Sequence, residues 1–459
     1  MFKFSRRSYY GYGKGKRRQR FSPLWLILAI PVFLIVLELM ARMFLSFKAK
    51  SADLAVYERE LAIVTAYRLK FVTKNQKPFD GLSDRGSLVA QRRLSVGYQI
   101  LGNQKSDYWQ INEQGFREDE PVPLKKPKDE IRIFILGGST AFGQWNLSNQ
   151  ATIASKLEAR LQERVAQQKR SPATYRPDVF PFFKPLRSKA FALPPKIREG
   201  KYRVINAAVP GYTSGNQLAQ LALQILPYKP DLIIVLDGYT DLMLPSSETE
   251  TDIPKLEEFM TDAPGHFGTY LSQSFNQWLK DTSLVKATQY WVLRPQLSAP
   301  QKSMVIKDED KPLAAYLPED DAELKLRLDR YRENHKQMLR LSTGAGIPLI
   351  IAVQPEITGR RNLSHDEKEI LAQLGEDYTA KIKTHYPKFV QGSKQLEKAF
   401  PKNVKALNFY NLNDKFPHNT FSDAIHLTEE ANTEIAEQLY YAITGLEKIQ
   451  IIPKYLNLD

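Results

Sequence analysis

Short apolar runs alternate with amphipathic stretches between residues 129 and 445. Leu232-Ile-Ile-Val-Leu236 carries no polar residue, which is typical of a central parallel strand buried on both faces. Between such runs, apolar residues recur at the three- and four-residue spacing of one helix face. This alternation predicts a parallel sheet covered by helices on both sides. Strands are predicted at 131–136, from 204, at 232–236, 347–353 and 406–412, with helices at 153–165, 218–225, 323–341 and 431–443 and one opened by the capping box of Ser364 and Glu367.

Two long stretches interrupt this alternation. Residues 168–199 are basic, proline-rich and aromatic, and residues 245–318 are long and irregular. Insertions of this length in an α/β domain usually cover or shape a binding site. Disordered surface loops are the alternative for both stretches.

An apolar segment near the N-terminus predicts a membrane-spanning helix at 21–46. Residues 23–37 carry no charge, and the apolar character continues to Leu45 past Glu38 and Arg42. As a helix, residues 23–45 reach about 34 Å, enough for a hydrocarbon core of about 30 Å. A buried core helix is the alternative, because the uncharged stretch is short for a membrane span.

The charges beside this segment predict its orientation. Residues 1–20 contain eight basic residues and no acidic one, whereas few basic residues follow the segment directly. The positive-inside rule therefore predicts a cytoplasmic basic tail at 1–20, a single-pass anchor in the cell membrane, and a main domain on the extracytoplasmic, periplasmic side. A connecting region follows at 47–128, with a helix predicted from Ala52 to Phe71 and short strands after it.

Composition narrows the chemistry. The 459 residues carry a formal charge of +14, but with +8 in the tail only +6 remains elsewhere. We therefore predict the lipid bilayer as a partner for the tail and no nucleic acid. The absence of cysteine excludes disulfides, thiolate nucleophiles and cysteine-bound zinc. Five of the six histidines, namely His266, His335, His365, His385 and His418, show no ligand spacing, and no His-Glu-x-x-His motif occurs, so no metal is predicted. No glycine fingerprint for a cofactor is present either.

Candidate catalytic residues follow the predicted strands, at the sheet edge where ligands bind in parallel α/β folds. Ser139 follows Gly137-Gly138 after the first strand, and Gly211 follows the second. His426, just before the last helix, can take the serine proton, and Asp423 three residues earlier can orient its imidazole. The N–H groups of Ser139 and Gly211 could hold an oxyanion. Helix caps and turns are the alternative roles for these residues.

Taken together, these segments resemble the SGNH (GDSL-type) hydrolases, in the membrane-anchored subgroup whose first block reads GGST. The resemblance covers roughly residues 108–445, and Asn-Glu-Gln-Gly-Phe-Arg at 112–117 resembles the lead-in to that block. It implies a flavodoxin-like three-layer α/β/α fold at 129–445, with the insertions and a C-terminal tail at 446–459. It also implies a nucleophilic Ser139, an oxyanion glycine at Gly211, and the Asp423–His426 pair of the last block.

The third block departs from the family pattern. Where the family has Gly-x-Asn-Asp, this chain has Gly238-Tyr239-Thr240-Asp241. The family asparagine donates to the oxyanion, and the Thr240 hydroxyl is a shorter donor. Loss of one such donor typically costs about 2.7–4 kcal/mol of transition-state stabilisation.

The sequence thus predicts a membrane-anchored serine esterase or acyl hydrolase that needs no cofactor. Its substrate would be an acyl ester such as an O-acylated glycan or a lipid of the cell envelope, although no residue identifies which. Two alternatives stay open: transfer of the acyl group to an envelope glycan, and a catalytically retired scaffold protein that uses the same fold. Protein partners and oligomeric state are not predicted by the sequence.

Overall fold

The computed structural model describes residues 62–73, 86–93, 95–248, 312–412 and 416–455, together with positions 36, 37 and 40. The chain divides into two units, one of Met1–Glu60 and Leu271–Leu297 and the other of Leu61–Tyr270 and Ser298–Asp459. The first unit lies almost wholly outside the described residues. All elements named below belong to the second.

The elements of this unit alternate between strand and helix from residue 130 onward. The strands are β1 Leu69–Val72, β2 Leu88–Arg93, β3 Gly97–Ile100, β4 Gln104–Lys105, β5 Gln110–Ile111, β6 Glu130–Gly137, β7 Val179–Phe180, β8 Lys201–Asn206, β9 Leu232–Asp237, β10 Leu349–Val353, β11 Val404–Asn408 and β12 Lys454–Tyr455. The helices are α1 Ala62–Tyr67, α2 Ser139–Phe142, α3 Ile153–Arg170, α4 Lys184–Ala192, α5 Ser214–Gln220, α6 Tyr239–Met243, α7 Asp321–Gly344, α8 His365–Leu374, α9 Glu376–Ala399 and α10 Glu429–Thr444.

Five strands form one parallel sheet in the order β11-β10-β9-β6-β8. Counted along the chain this is the order 2-1-3-4-5 of flavodoxin-like folds, which confirms the predicted parallel α/β fold. Every residue of β6, β9 and β10 is buried. The apolar runs within these strands are explained by helices that cover both faces of the sheet.

The two faces have separate apolar cores. Helices α3 and α10 pack together on one face, with Leu157, Leu161 and Leu439 fully buried there. Helices α5, α7 and α9 cover the other face. The predicted stripes on α3 and α10 are thus the buried faces of those helices, and the predicted capping box of Ser364 and Glu367 opens α8.

Two sequence predictions need correction, and one helix was missed. The helix predicted from Ala52 to Phe71 ends at Tyr67, and β1 begins at Leu69; residues 52–61 lie outside the described part. The last strand of the sheet ends at Asn408 rather than continuing to Leu412. Helix α9 was not predicted, because Pro387 interrupts its sequence pattern.

The insertion at 168–199 contains regular structure. It holds β7 and α4, and β7 pairs in parallel with β12 from the C-terminal segment. Of the insertion at 245–318, residues 249–311 lie outside the described part, while Leu313–Tyr316 forms a single helical turn.

Across the described part of the chain, no helix is both long enough and apolar enough to span a lipid bilayer. The predicted anchor at 21–46 lies outside the described residues except at positions 36, 37 and 40, and it stays a prediction.

Candidate active site

The candidate residues lie at the carboxyl edge of the sheet, where β6, β8 and β9 end. Strand β6 is the first of the sheet along the chain, and the next two strands flank it on opposite sides. This reversal of strand order opens a crevice at the carboxyl ends of β6 and β9, the usual ligand position in such sheets. Ser139 follows β6 and Thr240 follows β9, so the sheet topology places both beside this crevice.

Ser139 is the first residue of the short helix α2 and is buried. Because Ser139 is the first helical residue, its backbone N–H has no carbonyl of a preceding turn to bond to. This N–H has no acceptor among the described residues. Gly143, with φ of 87°, ends the helix in the left-handed region. Gly143 thus ends the helix four residues after Ser139.

The carboxyl end of α2 is held by two buried polar side chains. Asn206 Nδ2 donates to the carbonyls of Ala141 and Phe142 at 3.2 and 3.1 Å. The Arg117 guanidinium donates to the carbonyls of Phe142 and Gly143 at 3.0 and 2.8 Å. Burial lowers the pKa of Arg117, and Tyr67 beside it acts in the opposite direction. Arg117, the last residue of the 112–117 segment, therefore holds in place the helix that carries Ser139.

Asp423 and His426 form a buried pair. His426 Nδ1 donates to Asp423 Oδ2 at 2.6 Å, and Oδ1 accepts the N–H groups of Ile425 and His426 at 3.0 and 2.9 Å. Burial acts to raise the pKa of Asp423, but His426 and these hydrogen bonds outweigh it, so the pKa is lowered. An ionised carboxylate only accepts hydrogen bonds, which fixes the proton of the imidazole on Nδ1. His426 Nε2 is left as an acceptor; it is buried and has no hydrogen-bond partner in the described structure.

A tryptophan completes the surroundings of this pair. Trp145 Nε1 donates to the same Asp423 Oδ2 at 2.7 Å. Its ring also meets the imidazole of His426 edge-on, with centroids 5.6 Å apart. Trp145 has a φ of 71°, an uncommon backbone conformation for a large residue. Such strain persists where surrounding contacts maintain it, and the contacts to Asp423 and His426 do so here.

The serine and histidine loops are joined through the neighbours of the two catalytic candidates. Thr140 Oγ1 donates to the carbonyl of Ile425 at 3.2 Å and accepts Nε2 of Gln354 at 3.0 Å. Gln354 follows β10 directly and is buried. A hydrogen bond between Ser139 Oγ and His426 Nε2 is not formed. Catalytic hydrogen bonds are often long without substrate and tighten in the reactive complex.

The loops of Gly211 and Thr240 both approach the turn that carries Ser139. A Cβ added to Gly138 would lie 3.5 Å from Thr240 Oγ1 and 3.4 Å from the carbonyl oxygen of Tyr212. Gly211 has a φ of 85°, and its N–H has no acceptor among the described residues. The loops after β6, β8 and β9 thus converge at Gly138.

The loop that carries Gly211 is held from outside the sheet. Tyr98 of β3 donates from its hydroxyl to the carbonyl of Pro210 at 2.6 Å. A Cβ on Gly211 would lie 2.5 Å from that hydroxyl oxygen, so only glycine fits. The small sheet of β1, β2 and β3 therefore supports this loop.

Asp241 has a supporting position in the third block. Its carboxylate accepts the N–H of Ser214 at 3.1 Å and also binds the Ser214 hydroxyl. Ser214 is the first residue of α5, three residues after Gly211. Asp241 thus ties the loop after β9 to the loop that carries Gly211.

Sequence reasoning missed two side chains at the site, Trp145 and Gln354. It also missed the buried carboxyl of Glu356, whose neighbour Ile357 donates its N–H to the carbonyl of Ala424 at 2.9 Å. Burial raises the pKa of Glu356 to about 7, although its bonds from Thr358 and Tyr378 act to lower it. The position of Gln354 and Glu356 just after a buried strand was the available signal, since site residues gather there. No cluster of acidic or histidine side chains suited to a metal ion occurs within the described ranges.

Comparison with known proteins gives likeness of structure alone. No protein-family model matches this chain, and no curated protein sequence matches it. Similar solved structures include a lipase/acylhydrolase from Enterococcus faecalis, with 11% identity, 69% of this chain and 96% of that chain covered, and a TM-score of 0.34. An acetylxylan esterase from Geobacillus stearothermophilus shares 11% identity over 70% of this chain and 96% of that chain, with a TM-score of 0.32. A GDSL-like lipase from Bacteroides thetaiotaomicron shares 10% identity over 69% of this chain and 90% of that chain, with a TM-score of 0.29.

These proteins are esterases and lipases. The sequence motifs around Ser139, Gly211, Asp241 and His426 resemble the same class. At TM-scores below 0.5 the likeness carries no argument about this chain.

Proposed function

We propose that this chain is a serine esterase of the SGNH type, anchored in the membrane by residues 21–46 with its α/β domain on the extracytoplasmic side. The observation that carries the proposal is the Asp423–His426 pair. Its imidazole has one nitrogen bound to a carboxylate and the other, Nε2, buried and unbonded. This is the arrangement of a general base that awaits a proton. The contact of Thr140 with Ile425 supports Ser139 as the source of that proton.

In the proposed reaction, Ser139 Oγ adds to the ester carbonyl while its proton passes to His426 Nε2. The N–H groups of Ser139 and Gly211, with the Thr240 hydroxyl, hold the resulting oxyanion. The imidazolium then gives its proton to the departing alkoxide, which leaves as an alcohol. Water attacks the acyl-enzyme by the same route, with His426 again as base, and releases the carboxylic acid. No step needs a cofactor. The substrate class we propose is an acyl ester of the cell envelope.

A fluorophosphonate probe tests the nucleophile without knowledge of the substrate. The full chain is treated with the probe and the modified residue is located by mass spectrometry. We expect labelling at Ser139 that disappears in Ser139→Ala and His426→Ala. A matched control is Ser422→Ala, which removes another serine close to the histidine and should leave labelling intact. A folded chain that is never labelled at Ser139 would refute the esterase proposal and favour the retired scaffold.

Thr240→Asn tests whether the oxyanion site is functional but weakened. Thr240 is half-buried, and its Oγ1 lies 3.5 Å from the position that a Cβ on Gly138 would occupy. If the site binds an oxyanion, the longer amide should accelerate labelling, up to the roughly 10²–10³-fold that one such donor supplies. An unchanged rate would show that Thr240 is not part of the oxyanion site. The transferase alternative is tested on the same chain, by asking whether ester turnover depends on an added glycan acceptor.

A further inference from the structure

An exposed apolar surface lies on the 168–199 insertion and the C-terminal segment. Its side chains are exposed by between 43% at Phe191 and 73% at Ile452. Large apolar side chains grouped in this way mark an interaction site rather than an ordinary protein surface. The surface, called the aromatic surface below, consists of Phe182, Phe183, Leu186, Phe191, Ile452 and Tyr455.

The aromatic surface is built on ordered structure. Its base is the parallel pair β7–β12, which joins the insertion to the C-terminal segment. Phe180 of β7 is buried, stacks on Phe191 with ring centroids 4.2 Å apart, and contacts Tyr455 at 5.7 Å. Ile197 forms an isolated bridge with Gln450 beside this pair. The exposed rings are therefore presented by a framework and not by a loose loop.

The charge around this surface is strongly positive. Residues 169–201 contain nine basic and two acidic residues, a net charge of +7. Of the two acidic residues, Asp178 is already paired with Lys196 at 3.0 Å. Lys184, Arg187 and Lys189 of α4 form no ion pair with any other described residue. The apolar side chains thus lie among unneutralised cations.

The aromatic surface lies at the sheet edge opposite to the candidate active site. The segment that carries it is tied to the starts of the central strands, since the N–H of Lys201 donates to the carbonyl of Asp129 at 2.8 Å and Arg198 pairs with Asp231 at 3.3 Å. Ser139 and Thr240, in contrast, follow the ends of those strands. At about 3.3 Å per residue, the eight residues of β6 separate the two edges by roughly 25 Å.

We propose that the aromatic surface docks on an anionic lipid bilayer. Aromatic rings with lysine and arginine beside them are the combination that membrane interfaces bind, through apolar insertion and attraction to anionic headgroups. A second copy of the chain is a poorer occupant, because self-association would bring two surfaces of like charge together.

This docking has a consequence for substrate access, which rests on the proposed esterase function. With the amino-terminal edge of the sheet on the bilayer, the edge that carries Ser139 and His426 faces the aqueous phase. The acyl ester is then an envelope glycan or another water-exposed ester, and not a lipid extracted from the same bilayer.

Single-cysteine labelling tests the proposal directly, because the chain contains no cysteine of its own. Phe183→Cys reports on the aromatic surface, and Leu147→Cys reports on the site edge, where Asn146 and Ser148 contact the loops of the site. The two positions are similarly exposed, at 63% and 68%. Each full-length variant is labelled with a polarity-sensitive fluorophore and reconstituted in nanodiscs of phosphatidylglycerol and phosphatidylcholine. Quenching by doxyl-labelled lipid and by aqueous iodide is then measured.

We expect a blue-shifted label at position 183 that doxyl lipid quenches and iodide does not, and the reverse at position 147. The Lys184→Glu/Arg187→Glu variant, or phosphatidylcholine alone, should reduce the lipid quenching at position 183. Iodide quenching at position 183 equal to that at 147 would overturn the proposal. Protection of position 183 from both quenchers would overturn it as well, because the surface would then be covered by protein. The labels report position whether or not Ser139 is active, so failure of the esterase proposal is recognised separately.

Discussion

Replacement of Asp423 by asparagine almost keeps the shape of the side chain, but it moves the imidazole proton of His426 from Nδ1 to Nε2. Two backbone N–H groups, of Ile425 and His426, donate to Oδ1 at 3.0 and 2.9 Å. The amide oxygen of an asparagine must take that place, since an NH₂ group there would face two donors. The NH₂ group is thereby directed at His426 Nδ1 and at Trp145 Nε1, the two donors that now share Oδ2.

The consequence for catalysis follows from this forced orientation. An NH₂ group that donates to Nδ1 places the imidazole proton on Nε2, where it blocks acceptance of the Ser139 proton. The carboxylate charge that stabilises the imidazolium is lost as well. In serine proteases the equivalent change costs about 10⁴ in rate, which corresponds to about 5 kcal/mol of activation free energy. We expect a loss of that order in Asp423→Asn.

The assay is the second-order rate constant for fluorophosphonate labelling of Ser139. Trp145→Phe is the matched control, because it keeps a ring against His426 and removes only one donor to Oδ2. A hydrogen bond to a charged group contributes roughly 1.5–3 kcal/mol, so the control should lose about 10- to 150-fold. A folded Asp423→Asn protein labelled within tenfold of the unsubstituted chain would refute the assignment of His426 as the base.

Three further changes test the framework. Gly211→Ala should destabilise the fold by about 1–3 kcal/mol, because a Cβ there meets the Tyr98 hydroxyl, and adding Tyr98→Phe should restore part of the thermal midpoint; no restoration would contradict the steric cause. Burial raises the pKa of the Glu356 carboxyl from the ordinary glutamate value of 4.5 to about 7, so its stabilising contribution is complete below about pH 4.5 and is lost as the pH rises through 7. Relative to Glu356→Gln, the unfolding free energy should therefore fall by about 3 kcal/mol over that window, and a constant difference in urea titrations would refute the raised pKa. Arg117→Lys should lower the urea midpoint by the equivalent of about 3 kcal/mol, because three donors replace a planar fork; an unchanged midpoint would show that the guanidinium bonds contribute nothing.

The sheet was predictable because its strands are buried on both faces. Strand β9 consists of five apolar residues and the terminal Asp237, and all six are buried. In an α/β domain, such an apolar run has few interpretations other than a central parallel strand. Strand β1 was not predictable, because its four residues pair with β2 from Leu88 onward, and local sequence gives no information on that remote partner. Helix α9 was hidden by Pro387, which tertiary packing tolerates inside the helix.

The candidate site divides in the same way. Ser139, Gly211, Asp423 and His426 were indicated by short motifs that follow the strands, where ligands bind in parallel α/β sheets. The bond from Trp145 to Asp423 spans 278 residues of sequence. A contact of that kind depends on how two loops meet, and no local spacing encodes it.

Glu367 shows how a locally predicted feature acquires a remote role. As the third residue of α8 it completes the capping box with Ser364. Its Oε1 also accepts the N–H groups of Thr420 and Phe421, at 2.8 and 3.1 Å, and thereby holds the start of the loop that carries Asp423. The carboxylate that begins the helix also positions the candidate catalytic loop, so a change at Glu367 would affect both.

The arrangement of the third block explains how threonine can stand in the place of asparagine without loss of the site. Asp241, the next residue, binds the N–H and hydroxyl of Ser214 and so holds the loops after β8 and β9 together. That link does not involve the Thr240 side chain, which faces Gly138. On the function proposed above, a change at position 240 would alter one oxyanion donor and would keep the Asp241–Ser214 link. Because the framework and the Asp423–His426 pair are both retained, a weakened esterase accounts for the residues better than a scaffold, in which nothing would maintain a buried, unbonded Nε2 beside an ionised aspartate.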